Sequence, residues 1–181
     1  YIVDLYEKNP DEDIRVNVLS NLVRNYHYNK DVKNKKKYYD LLLEKYPDSK
    51  ITKNIIKSYS PDKKIQIGKM LPKFEIKNLD NENEIINNEF LKGKYWLIDI
   101  WATWCTPCIG EMKYLHKAHK KFAGDKFEIL SISFDVKPEQ VKEFRKGKWN
   151  MPWLHAFAEG AFNGKIGTVF EVSGIPQPML I

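Results

Sequence analysis

The stretch that most constrains this chain is Trp101-Ala102-Thr103-Trp104-Cys105-Thr106-Pro107-Cys108, which holds both cysteines of the 181 residues. Before it, Tyr95 to Ile100 is an almost unbroken apolar and aromatic run, the pattern of a buried strand. After it, Met112, Leu115, Ala118, His119 and Phe122 recur at helical spacing among polar residues, the pattern of an amphipathic helix. The cysteines therefore sit where a strand hands over to the N-terminus of a helix. Unpaired N–H groups and the positive end of the helix dipole favour an anion there, and a thiolate is such an anion. The position predicts a lowered pKa for Cys105, at the exposed edge, which makes it the attacking sulfur. Cys108, about one turn further in, is the shielded, resolving one. Half of a zinc site and an inert pair are the other readings of a C-x-x-C. No second cysteine pair and no properly spaced histidine pair is present to close a tetrahedral site, so no metal is expected.

With those residues in view, the chain resembles the thioredoxin superfamily, and within it the TlpA/ResA-like thiol-disulfide oxidoreductases of bacterial envelopes. Trp101 to Cys108 matches the family's W-A-x-W-C-x-P-C pattern between strand and helix. Glu111 stands three residues after the second cysteine, where the subfamily carries a glutamate tied to its active-site acid chemistry. Ile67 to Phe74 resembles the G-x-x-x-P-x-F opening of such domains, and Val172-Ser173-Gly174-Ile175-Pro176 resembles the segment that carries the superfamily's cis-proline loop. The likeness covers roughly residues 66 to 181 and does not extend to the first sixty. Lys113 departs from it, where a proline commonly kinks the helix, and so do Gln177 and Pro178, where threonine is commoner.

The resemblance implies an α/β fold: a thioredoxin-like sandwich with a central mixed sheet over residues 67–181, preceded by a small all-α region over 1–60 and a linker at 61–66. In that fold Pro176 lies beside Cys105 and leaves the backbone of Ile175 free to pair with an extended substrate peptide, a strand-addition mode. The chain stops at Met179-Leu180-Ile181, where a strand begins. The expectation is that the rest of this strand, an edge strand and a packed helix of the family fold are missing, and that a domain ending at Ile181 is destabilised.

The N-terminal sixty residues contain no cysteine and one histidine, His27. Asn9-Pro10-Asp11-Glu12-Asp13 predicts a helix start, followed by Ile14, Val18, Leu19, Leu22, Val23 and Tyr26 on one face. Asp31 begins a second helix with Tyr38, Leu41, Leu42 and Lys45 inward, and Asp48 or Ser49 a third with Ile51, Ile55, Ile56 and Tyr59. A three-helix unit this small has a marginal core. Its apolar face is therefore expected to need the redox domain, or a larger N-terminal domain, to cover it. Its expected role is scaffolding or docking.

In the second part, Phe74 to Leu79 and Glu84 to Ile86 predict a β-hairpin, and Phe127 to Phe134 a buried strand. Pro138 opens a helix to about Lys146, and Lys165 to Phe170 forms a helical turn. Asp99 is the residue out of place in the central strand, among Leu97, Ile98, Ile100 and Trp101. Thioredoxin has a buried aspartate at the matching position. A carboxyl buried there has a raised pKa and relays a proton to or from Cys108; the other reading is a solvent-facing or lysine-paired carboxylate. Glu111 is either a second such acid or a favourable charge near a helix N-terminus. His116 and His119 are read as packing residues, as are Trp149 and Trp153, which alternatively line a substrate groove.

The net charge of +6 is not concentrated: residues 1–60 carry 12 basic and 9 acidic side chains, and each part contributes +3. This argues against a nucleic-acid partner. No apolar run is long enough to span a membrane, and an anchor or signal is expected only outside this chain. The function read from the sequence is thiol-disulfide exchange with protein disulfides through Cys105 and Cys108, as a reductant in the bacterial envelope. Trp104, Thr106 and Pro107 shape the surface, Asp99 and Glu111 supply acid chemistry, and Ile175 and Pro176 position substrate. No organic cofactor is required, and reducing equivalents come from a partner redox protein. A peptide-binding module with a vestigial C-x-x-C is the alternative from another class. A peroxidase of the same superfamily is disfavoured, because no P-x-x-x-T-x-x-C pattern precedes Cys105.

Overall fold

The computed structural model describes residues 2–181, with side chains from Asp4 onward. The chain divides after Lys63 into two compact units, each with its own cluster of buried apolar side chains.

The first unit is four helices, α1 (Ile2–Lys8), α2 (Glu12–Tyr28), α3 (Val32–Lys45) and α4 (Lys50–Tyr59). Asp11 caps α2, its Oδ1 accepting the N–H of Asp13 at 2.8 Å and of Ile14 at 3.3 Å. The helix therefore starts later than the Asn9-Pro10 pair predicts. Asn9 instead accepts the N–H of Asp11 at 2.9 Å, holding the turn that carries Pro10. Asp31 caps α3 through the N–H of Asn34, and Ser49 caps α4 through that of Ile51. Leu19, Val23, Leu42 and Ile55 are fully buried against one another. Tyr26 stacks on Tyr38 with ring centroids 5.5 Å apart. These helices thus bury a core of their own, and tyrosine supplies much of it. Buried Tyr38 and Tyr39, flanked by Tyr6, Tyr26, Tyr46 and Tyr59, supply large apolar area to a small unit.

In the second unit β1 (Glu75–Lys77) and β2 (Ile85–Asn87) form an antiparallel hairpin. There follow β3 (Tyr95–Trp101), α5 (Thr106–Phe122), β4 (Phe127–Ser133), α6 (Pro138–Phe144), β5 (Leu154–Phe157), a 3₁₀ turn (Ala161–Asn163), α7 (Lys165–Val169) and β6 (Gln177–Leu180). The strands make a mixed sheet in the order β5-β4-β3-β6, with only β6 antiparallel to its neighbour. Parallel neighbours require crossovers, which α5 and α6 provide. The sequence assigns no element to His155–Asn163, yet β5 begins at Leu154; a four-residue strand carrying a histidine has no alternation to read. The N–H of Leu79 donates to the carbonyl of His155 at 2.8 Å, joining the hairpin's end to this edge of the sheet. The backbone N–H of Lys64 donates to Glu171 Oε2 at 2.9 Å, which ties the start of the unit to the residues after α7. Among the described residues no helix is long and apolar enough to cross a membrane.

Side chains alternate along β3, so Asp99 and Trp101 share one sheet face while Ile98 and Ile100 share the other. Trp101 meets Phe144 of α6 with ring centroids 5.2 Å apart. The face carrying Asp99 is therefore the one the crossover helices cover.

Candidate active site

Cys105 is the N-cap residue of α5, and Pro107 lies in the first turn, where an absent N–H costs nothing. Cys105 Sγ accepts the N–H of Cys108 at 3.2 Å. The two sulfurs are joined in a disulfide, with Cα atoms 5.3 Å apart. Cys108, Met112 and Leu115 form the buried stripe of α5, so the second sulfur faces the sheet. Cys105 is 4% exposed and Cys108 1%. This corrects the expectation of an exposed Cys105: its bond to Cys108 draws the sulfur into the apolar cluster that contains Trp101, Ala102 and Met112. Surface at the site comes instead from Trp104, 54% exposed, and from Thr106 and Pro107.

The turn between β3 and α5 is held by a residue that the sequence reading places only at the end of a strand. Asp135 is buried, and its carboxylate accepts the N–H of Thr103 at 3.1 Å and the Thr103 hydroxyl at 2.6 Å. The Ser133 hydroxyl donates to the same carboxylate at 2.7 Å. An Asp135→Ala variant strands the buried Ser133 hydroxyl and the two part-buried donors of Thr103. It is expected to lose about 2–4 kcal/mol in urea unfolding; a loss under 0.5 kcal/mol would show that the clamp is dispensable. The only local signal for it is an aspartate just past a strand that ends in Ser-Phe.

Asp99 is 2% exposed, opposite Ser131 of β4 in register. The Ser131 hydroxyl donates to Asp99 Oδ2 at 3.2 Å. Burial pushes the Asp99 carboxyl up to about 7; the Ser131 hydrogen bond acts against this and the negative charge of Glu111 adds to it. Asp99 therefore neither faces solvent nor pairs with a lysine. Glu111, half-buried on α5, acts on Asp99 across the space between helix and sheet. The structure thus brings Asp99, Glu111 and Cys108 to one helix–sheet interface.

On the other side of β3, β6 pairs Pro178 with Asp99 and Gln177 with Ile100. The Ile175-Pro176 bond is cis, and the pair lies just beyond that register, at the end of β3 from which α5 starts. Both residues are half-buried.

His116 and His119 pack their rings on Trp153, with centroids 4.9 and 5.4 Å away, and His116 also meets Trp149. Burial lowers the His116 pKa, with the neighbouring His119 adding to it. Among the described residues no three His, Cys, Asp or Glu side chains are grouped to hold a metal. Trp149 also lines, with Thr103 and Phe144, an open depression of about 640 Å³ beside the active-site turn.

A disulfide-bonded cysteine pair at the strand-to-helix junction of a mixed sheet, a buried acid beneath the helix and a cis-proline at the sheet end define a thioredoxin-like thiol-disulfide oxidoreductase. Residues 67–181 match the AhpC/TSA family. Over 123 residues, 68% of this chain and 68% of the relative, the sequence is 31% identical to the thiol-disulfide oxidoreductase ResA of Bacillus cereus. It is 26% identical to the thiol:disulfide interchange protein DsbE of Vibrio cholerae, over 65% of this chain and 60% of the relative. Among solved structures, the thioredoxin domain of a thiol-disulfide oxidoreductase from Bacteroides vulgatus aligns with TM-score 0.55 and 24% identity, covering 65% of this chain and 81% of that one, a likeness of fold. The chain belongs to the AhpC/TSA family of thioredoxin-like proteins.

Proposed function

We propose that this chain reduces disulfides of protein substrates in the bacterial cell envelope, with Cys105 as nucleophile and Cys108 as resolving sulfur. The observation that carries this reading is the placement of Cys105 as N-cap of α5, its sulfur accepting the Cys108 N–H. In the reduced protein the Cys105 thiolate attacks one sulfur of the substrate disulfide. A mixed disulfide forms and the other substrate sulfur leaves as a thiolate. Cys108 gives its proton to the Asp99 carboxylate and attacks Cys105; the Cys105–substrate bond breaks and its electron pair leaves with the second substrate sulfur. The substrate disulfide is reduced, the protein dithiol is oxidised, and a partner redox protein restores it. Trp104, Thr106 and Pro107 form the surface around the sulfurs, and the Ile175-Pro176 segment receives the substrate backbone.

The reductant direction is part of this proposal and is what the potential below decides. The TlpA-like assignment and the envelope location rest on the resemblance carried by Trp101 to Cys108 and Glu111.

The test is the equilibrium potential of the Cys105–Cys108 pair, read by thiol trapping against defined redox buffers. The expected value lies at the thioredoxin side, about −270 mV; a value near −120 mV would overturn the reductant reading. If no intramolecular disulfide formed in any buffer, the chain would be a peptide-binding module instead.

A further inference from the structure

Ser131 and Trp153 take no part in the exchange itself, yet they form the buried hydrogen-bond chain that ends on its acid. Trp153 Nε1 donates to Ser131 Oγ at 2.8 Å, and Ser131 Oγ in turn donates to Asp99 Oδ2 at 3.2 Å. Ser131 is fully buried and Trp153 nearly so. An indole N–H can only donate, so it takes one of the two lone pairs of the serine oxygen. The hydroxyl proton is turned away from the indole and toward Asp99 Oδ2, the acceptor it meets. We propose that Ser131, locked in its donating orientation by Trp153, is a positioning residue that keeps the exchangeable proton of Asp99 on Oδ1.

Oδ2 is then always the accepting oxygen, and Oδ1 the one that takes a proton from Cys108 and returns it. This inference rests on the role given to Asp99 above and adds the device that orients it. The charged and titratable groups around the acid come from several elements. Glu111 acts on it from α5. His116 and His119, also on α5, lie on the Trp153 ring, and His119 is 3.7 Å from Glu128 of β4. His155 of β5 stacks near Trp153 and is held neutral, its pKa lowered to about 4 by burial, with the Arg145 charge adding to it. On β6 the facing residues, Gln177 to Leu180, do not titrate.

The test uses the oxidised full chain, in which neither cysteine titrates, and follows the Asp99 carboxyl carbon by ¹³C NMR against pH. Asp99→Asn identifies the signal. Ser131→Ala removes the donor to the carboxylate and is expected to raise the midpoint by about one unit, a tenfold change in the acid's ionisation. Trp153→Phe keeps the hydroxyl but frees it to turn and accept from the neutral acid, which also raises the midpoint. A midpoint that stays in place or falls in either variant would overturn the inference. If both midpoints rise while Asp99→Asn leaves substrate release from the mixed disulfide unchanged, the oriented acid stands and its role in exchange fails.

Discussion

An Asp99→Asn variant is expected to be more stable than the parent by roughly 4 kcal/mol at pH 8, and no more stable at pH 3. In the unfolded chain this carboxyl ionises at its ordinary value of 3.8, whereas burial holds it protonated up to about 7 in the fold. Between those values the folded state binds a proton that the unfolded state has lost. Stability from this group is therefore greatest below pH 4, falls as pH rises to about 7, and stays reduced above it. Asparagine matches the neutral acid in shape and cannot ionise, so its advantage appears only across that window. Urea unfolding of the oxidised protein at the two pH values is the check, and an equal difference at both would show that Asp99 ionises normally. The same variant is expected to slow release of substrate from the mixed disulfide by about 10²-fold near pH 7, since a positioned proton acceptor contributes on that scale. A stabler but slower protein is the signature of a buried acid kept for chemistry rather than for the fold.

Replacing the two cysteines singly should separate their roles completely. Cys108→Ser leaves the nucleophile without its resolver, and the variant is expected to accumulate a mixed disulfide with a protein substrate through Cys105. Cys105→Ser is expected to accumulate none, and both variants lose turnover to the level of uncatalysed thiol exchange. Burial does not make this distinction, because the two side chains differ by only 3% in exposure, 4% against 1%. The helix does: Cys105 stands at the cap, with an N–H aimed at its sulfur, and Cys108 lies on the inner stripe over the sheet. Trapping through Cys108 instead, seen by mass spectrometry of the linked peptide, would reverse the assignment.

Much of the redox unit was legible from short-range pattern. The apolar run from Tyr95 and the helical stripe of Met112 and Leu115 bracket the cysteines, and β3 and α5 meet there as read. The hairpin was legible because Asp80-Asn81-Glu82-Asn83 separates two short alternating segments, which pair as β1 and β2. Asp99 stood out because a charged residue in an apolar strand must be either neutralised or exposed. In the helical unit Asp31 read as a cap, and of the two candidates Asp48 and Ser49 the structure uses Ser49. The cap of α2 was misplaced, because Asn9 and Asp11 are both capping residue types and only the backbone decides between them.

What escaped the sequence lies in contacts between residues far apart in the chain. Asp135 and Ser131 each stand 32 residues from the group they hold, Thr103 and Asp99. Neither residue type is unusual near a strand end. Strand β5 carries no periodic signal of its own and exists because β4 offers it an edge. The sequence by itself determined the chemistry: two cysteines spaced one helical turn apart after a buried strand, with an acid inside that strand. The tertiary structure alone decided how that chemistry is set. Hydrogen bonds are directional and short, so the clamp on Thr103 and the chain from Trp153 through Ser131 to Asp99 come into being only once the sheet has fixed its register.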